Sequence, residues 1–174
     1  MATATINYGT PVTVTMTGIE DIDSSSTWVA GWTSNSVNNT SDKHMDFLLS
    51  GQFTTESSNR QAGSINIYVY GSFNSTPTWP DLFSAGTEGS VGAVTCHDTE
   101  QRDSGMRLAA SITVDNTASA VYTFPPTAIA PLFGGVVPPY WAIYVSANAT
   151  TTTTDWCVAS GTALYIVPVK YDVA

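Results

Sequence analysis

Apolar side chains recur at every second position through most of this chain, the period of a pleated strand with one face turned inward and one outward. Val12, Val14 and Met16 alternate with Thr13, Thr15 and Thr17, and Ile65, Ile67 and Val69 alternate with Asn66, Tyr68 and Tyr70. Met106, Leu108, Ala110, Ile112 and Val114 alternate with Arg107, Ala109, Ser111, Thr113 and Asp115, and Trp141, Ile143 and Val145 keep the same period. Between Ala163 and Val173, Tyr165, Val167, Val169 and Tyr171 fall on one side, with Leu164, Ile166, Pro168 and Lys170 on the other. Proline has no N–H for a ladder, so Pro168 marks an edge position or a bulge. Thr27 to Thr54 reads as a strand, an Asn/Ser-rich turn and a long strand through Phe47, Leu49 and Phe53.

Turn clusters separate these runs at Asn35 to Asp42, Ser72 to Pro80, Ser84 to Gly92 and Asn148 to Asp155, the spacing of a sandwich or a barrel. The pairs Pro125-Pro126 and Pro138-Pro139 bracket an irregular passage with room for one helical turn. No linker divides the 174 residues, which suffice for one complete core without metal or disulfide support. The expectation is a single all-β domain with little or no helix. Residues 1–22 hold two short Thr-faced strands, ahead of a domain over residues 23–174. They are read as ordinary strands continuous with that domain, with an arm that adds to a neighbour's sheet edge as the other reading.

Charge is scarce. Asp, Glu, Lys and Arg make up 11% of the chain, where an average soluble domain carries about a quarter. The net charge of −9 repels phosphate backbones and anionic lipid heads, and the 5 basic residues are scattered. Nucleic acid and membrane are therefore not expected partners. Nor does any window reach the roughly 20 apolar residues of a membrane-spanning helix. The first residues, Met1 to Ile6, lack the basic start and apolar run of a secretory signal, so use without export is expected. Cys96 and Cys157 are correspondingly read as reduced thiols.

The groups that could do chemistry do not assemble into a recognised pattern. Cys96-His97 with Asp98, Glu100 and Asp103 is the densest cluster, but on a strand His97 would point away from Cys96, so Cys96 is read as a packed thiol. Two Cys and two His without Cys-x-x-Cys spacing do not make a zinc site. Glu20-Asp21-Ile22-Asp23 is not an EF-hand loop and reads as a solvated turn. Glycoside hydrolysis needs two facing carboxylates, and Glu20, Glu56, Glu88 and Glu100 all fall in turns. No catalytic residue, cofactor or metal ligand is expected, and the chain is not read as an enzyme. Aromatic residues carry more information. Trp79, between Pro77 and Pro80, reads as an exposed anchor, and Pro80, Phe83 and Trp28 join it as the expected interface residues. Trp28, Trp32 or Trp79 could instead form a stacking platform for sugar rings, which makes a carbohydrate-binding module of a virion or tail protein the alternative function.

Thr27-Trp28-Val29-Ala30-Gly31, Asn39-Thr40-Ser41, Asp46-Phe47-Leu48-Leu49-Ser50-Gly51, Pro77-Thr78-Trp79-Pro80-Asp81, Arg107 to Asp115 and Leu132-Phe133-Gly134-Gly135-Val136 occur in that order. Together they resemble the small capsid decoration, or cement, proteins of tailed bacteriophages. The resemblance runs from about Ser26 to the C-terminus and rests on structural rather than catalytic motifs. It implies a jelly-roll-like antiparallel β-sandwich, often a homotrimer, that clamps neighbouring subunits of the major capsid protein from outside. The implied location is the outer surface of the virion, after synthesis in the host cytoplasm.

Overall fold

The computed structural model describes residues 4–58, 61–72, 74–149 and 161–173. Its strands are β1 (Ala4–Tyr8), β2 (Val12–Val14), β3 (Ala30–Thr33), β4 (Val37–Asn38), β5 (Asp46–Thr54), β6 (Gly63–Gly71), β7 (Phe83–Ala85), β8 (Gly92–Cys96), β9 (Arg107–Val114), β10 (Val121–Ala128), β11 (Tyr140–Ala149) and β12 (Ala163–Val173). Helix α1 covers Thr99–Gly105, and 3-10 turns cover Ile19–Asp21 and Ala130–Phe133. Sheet A has the order β1-β12-β5-β10, with β2 also on β12; sheet B has the order β7-β8-β3-β11-β6-β9, with β4 also on β11. All the strand pairings are antiparallel.

With β1, β4, β7 and β8 set aside, β2-β12-β5-β10 forms one sheet and β3-β11-β6-β9 the other. Each sheet interleaves early and late strands, which is the double Greek-key winding of a jelly roll. The fold is thus an all-β antiparallel sandwich, and the added β7–β8 hairpin widens sheet B beyond β3.

Period-two alternation builds the main core. Phe47, Leu49 and Phe53 of β5, Ile65, Ile67 and Val69 of β6, Trp141, Ile143 and Val145 of β11, and Leu164 and Ile166 of β12 belong to one buried cluster between the sheets. Phe47 and Trp141 touch across it, ring centroids 5.3 Å apart. Glu20-Asp21-Ile22-Asp23 is a solvated turn pinned from beneath: Ile19 and Ile22 are buried while Glu20, Asp21 and Asp23 are exposed.

Three departures from simple alternation have physical causes. Sheet B is buried on both faces. Tyr68, Tyr70, Ala142 and Tyr144, on its outer side, form a second core with Leu82, Phe83, Val94, Cys96 and Met106. The excursion from β6 to β9 folds back to cover them, so the tyrosines expected on the polar face are interior. Strand β9 changes face partway along. Tyr68 pairs with Leu108 but Ile67 pairs with Ala110, leaving Ala109 as an extra residue. One inserted residue inverts every later side chain. Met106 therefore enters the second core, Ile112 and Val114 enter the first, and Leu108 is exposed. Finally, Pro125-Pro126 lies inside β10, not in an irregular passage. β10 is the outermost strand of sheet A and its register shifts between Phe124 and Thr127, so neither proline has to supply a ladder N–H.

Pro168 sits opposite a break. Gly9 N–H donates to the Pro168 carbonyl at 2.8 Å, between the stretches of β12 that pair with β1 and with β2. Helix α1, seven residues long, is the one α-helix among the described residues, in keeping with the expected scarcity of helix. Asp98 caps it, its Oδ1 accepting from Gln101 N–H at 2.6 Å. Among the described residues no helix is long and apolar enough to cross a membrane.

Candidate interaction surface

The two sheets differ in what lies outside them. Sheet B carries its own cover, whereas among the described residues no second core forms on the outer face of sheet A. Because Leu164 and Ile166 point inward, Tyr165, Val167 and Val169 point outward, and cross-strand partners share a face. Val169 is opposite Tyr8, Val167 opposite Leu48, and Tyr165 opposite Ser50 and Thr13. Ile6 is 54%, Tyr8 61% and Met45 53% exposed, a high value for side chains of this size.

Among the described residues charge is nearly absent from this face. Asp46 is the acidic residue of β5, and its carboxylate is already committed: Oδ1 accepts from the N–H groups of Phe47, Ile129 and Ala130 at 2.7, 2.9 and 2.7 Å. Those bonds fix the corner where β10 leads into the Ala130–Phe133 turn. Shallow hollows of about 380 and 370 Å³ flank Met45. The first is lined by His44, Val136 and Val137 among others, the second by Ile6, Tyr8, Leu48, Pro131 and Val169.

The aromatic anchors expected from sequence lie on the other side of the molecule, around the cover of sheet B. Phe83 is only 7% exposed and packs against Tyr70 and Tyr144 at 5.7 and 5.9 Å, so it is a core residue and not a surface anchor. Trp79 is half-buried with its ring edge-on to Tyr70 at 5.4 Å. Its indole lies against Gly89, where a Cβ would come within 2.5 Å of Cζ2. Trp28 is half-buried at a left-handed φ of 62°, and its carbonyl accepts from the Tyr144 hydroxyl at 2.9 Å. Pro80 is half-buried beside a cavity of about 550 Å³, shared with Leu82, Arg107, Phe133 and Pro138. Flanking prolines signalled a loop at Trp79, but not the tyrosine underneath it. What sequence reasoning missed was Ile6, Tyr8, Met45 and Leu48, which become neighbours only through pairing between distant strands.

The Cys96 cluster is built for packing. Cys96 is buried at the end of β8, while His97 is exposed with Nε2 3.2 Å from Asp81. Arg102 enters the second core from α1. It donates to the Thr27 carbonyl at 2.5 Å and to Asp103, and its guanidinium lies 5.6 Å from the Tyr68 ring centroid. Cys157 and Trp156 lie outside the described residues. Among the described residues no group of three or more His, Cys, Asp or Glu could hold a metal ion.

Burial gives this second core a pH signature. Desolvation pushes the Cys96 thiol up from 9.0 to about 11 and the Tyr70 hydroxyl up from 10.0 to about 12. Both are neutral when folded, and the unfolded chain loses these protons first. Their contribution is therefore complete below pH 9 and declines as pH rises through 9 to 12. For Tyr70 the slope approaches about 1.4 kcal/mol per pH unit. Urea midpoints measured from pH 8 upward should be flat at first and then fall; a constant midpoint to pH 11 would contradict the burial of these groups.

No protein-family model, curated protein or solved structure matches this chain.

Proposed function

We propose that this chain is a structural protein of a bacteriophage shell, which binds the outside of the capsid and clamps neighbouring subunits of the major capsid protein. The observation that carries this reading is the low-charge outer face of sheet A, uncovered among the described residues, with Ile6, Tyr8, Met45 and Tyr165 exposed on it. Monomeric soluble proteins seldom leave such a face uncovered unless something binds there. The stiff double-sheet body and the resemblance of its motif order to decoration proteins agree with this role. Clamping works by linkage. A protein that binds only the expanded shell stabilises that state by its binding free energy, summed over all its copies.

A sugar-stacking platform has less support. Trp28, Trp32 and Trp79 are all half-buried, and Trp32 Nε1 is already committed to the Thr17 carbonyl at 3.1 Å. Mixing purified protein with undecorated, expanded shells tests the proposal. The protein should co-sediment in saturable amounts, and Leu48→Asp should abolish this while leaving the fold intact. Shells that pellet without it would end the proposal.

A further inference from the structure

The free edges of the two sheets are treated unequally. Unpaired strand edges invite other strands, and proteins normally interrupt, shorten or charge them. At the far side of sheet A, β10 carries Pro125-Pro126 and a register shift. In sheet B, β9 has Arg107 and the extra residue Ala109, and β7 has three residues with a shift of its own. β4 has only two residues and β2 only three. Among the described residues, β1 alone offers a regular edge of five residues, Ala-Thr-Ile-Asn-Tyr, without proline, glycine or charge.

Its setting is equally permissive. The first charged residue of the chain is Glu20. The nearest charges in the partner strand, Lys170 and Asp172, form an ion pair at 3.5 Å, and Asp172 also accepts from Asn7 at 2.8 Å. Thr5, Ile6, Asn7 and Tyr8 are all exposed.

We infer that the β1 edge is where a second copy of this chain binds, by antiparallel β1–β1 pairing about a two-fold axis. Two molecules that each carry −9 repel over most of their surfaces and can approach closely where charge is missing. An antiparallel pair of identical strands is self-complementary. The only register that pairs all five residues places Ile6 of one copy opposite Ile6 of the other. It joins the two A sheets edge to edge and sets Ile6, Tyr8 and Val169 of both copies on one continuous outer face. Two copies close this contact, whereas the resemblance implies three.

Sedimentation equilibrium of the full chain at tens of micromolar should give twice the 18.4 kDa of one chain. The double variant Ile6→Asp with Tyr8→Asp should weaken association by about a hundredfold or more and give the single-chain mass. Its circular dichroism and urea midpoint should match the parent, because both side chains are exposed. As an independent measurement, Ile6→Cys should form a covalent dimer on oxidation, and Thr13→Cys should not. A single-chain or three-chain mass for the parent, or an Ile6→Cys variant that does not cross-link, would overturn the pairing. The interface rests on the same exposed face as the proposed function, but the two fail separately. A chain that is single in solution and still saturates shells refutes the edge pair and leaves the clamp standing.

Discussion

Gly31→Ala is expected to lower the free energy of unfolding by about 3 kcal/mol, the upper part of the range for overpacking a filled interior. Gly31 lies in β3 between β8 and β11, and a Cβ there would be 2.2 Å from the Val145 carbonyl oxygen and 2.8 Å from the Tyr144 ring. The first contact is backbone, so no rotamer change relieves it, and β3 would have to move away from β11. The pairs Tyr144–Thr33 and Val145–Trp32 lie in its path. Tyr144 would also be pushed against the second core, where its hydroxyl holds the turn at Trp28. Urea unfolding of the variant measures the loss. A change below about 1 kcal/mol would mean that β3 and β11 are less tightly paired than described.

Trp141→Ala should cost about 4 kcal/mol, within the usual range for truncating a buried tryptophan. Trp141 is 0% exposed, sits on the inner face of β11 and packs on Phe47 from the opposite sheet. Its backbone neighbours are Gly71 in β6 and Val37 in β4. Glycine on one side and a two-residue strand on the other leave few atoms able to move into the space. Denaturant titration should show a lower midpoint with little change in slope. A loss near that of a surface substitution, about 0.5 kcal/mol, would contradict the packing of the two sheets around this ring.

Much of this was legible in the residue pattern, for reasons that also mark its limits. Period-two runs at Ile65 to Val69 and Trp141 to Val145 name strands and inner faces directly, because each lies in regular pairing, whereas Leu164 to Val169 names a strand but not its inner face, since both of its sides are apolar. Alternation cannot reveal a second layer. Tyr68, Tyr70 and Tyr144 look like an outward polar face until residues from the β6–β9 excursion close over them. Nor does it reveal a bulge, since the run from Met106 to Val114 keeps its period in sequence while Ala109 inverts its faces in space. The candidate surface was hidden for a related reason. Ile6, Tyr8, Leu48 and Val169 are far apart along the chain and meet only because β12 runs between β1 and β5. Trp79 and Phe83 drew attention through residue type and loop context, yet a loop can fold inward, and this one does.

The role proposed for the molecule is that of a clamp that stabilises the shell it binds. The direct test is the temperature at which expanded shells come apart, recorded with and without saturating protein. Clamping predicts a rise that grows with occupancy and disappears with Leu48→Asp. Shells that bind the protein yet disassemble at an unchanged temperature would contradict it.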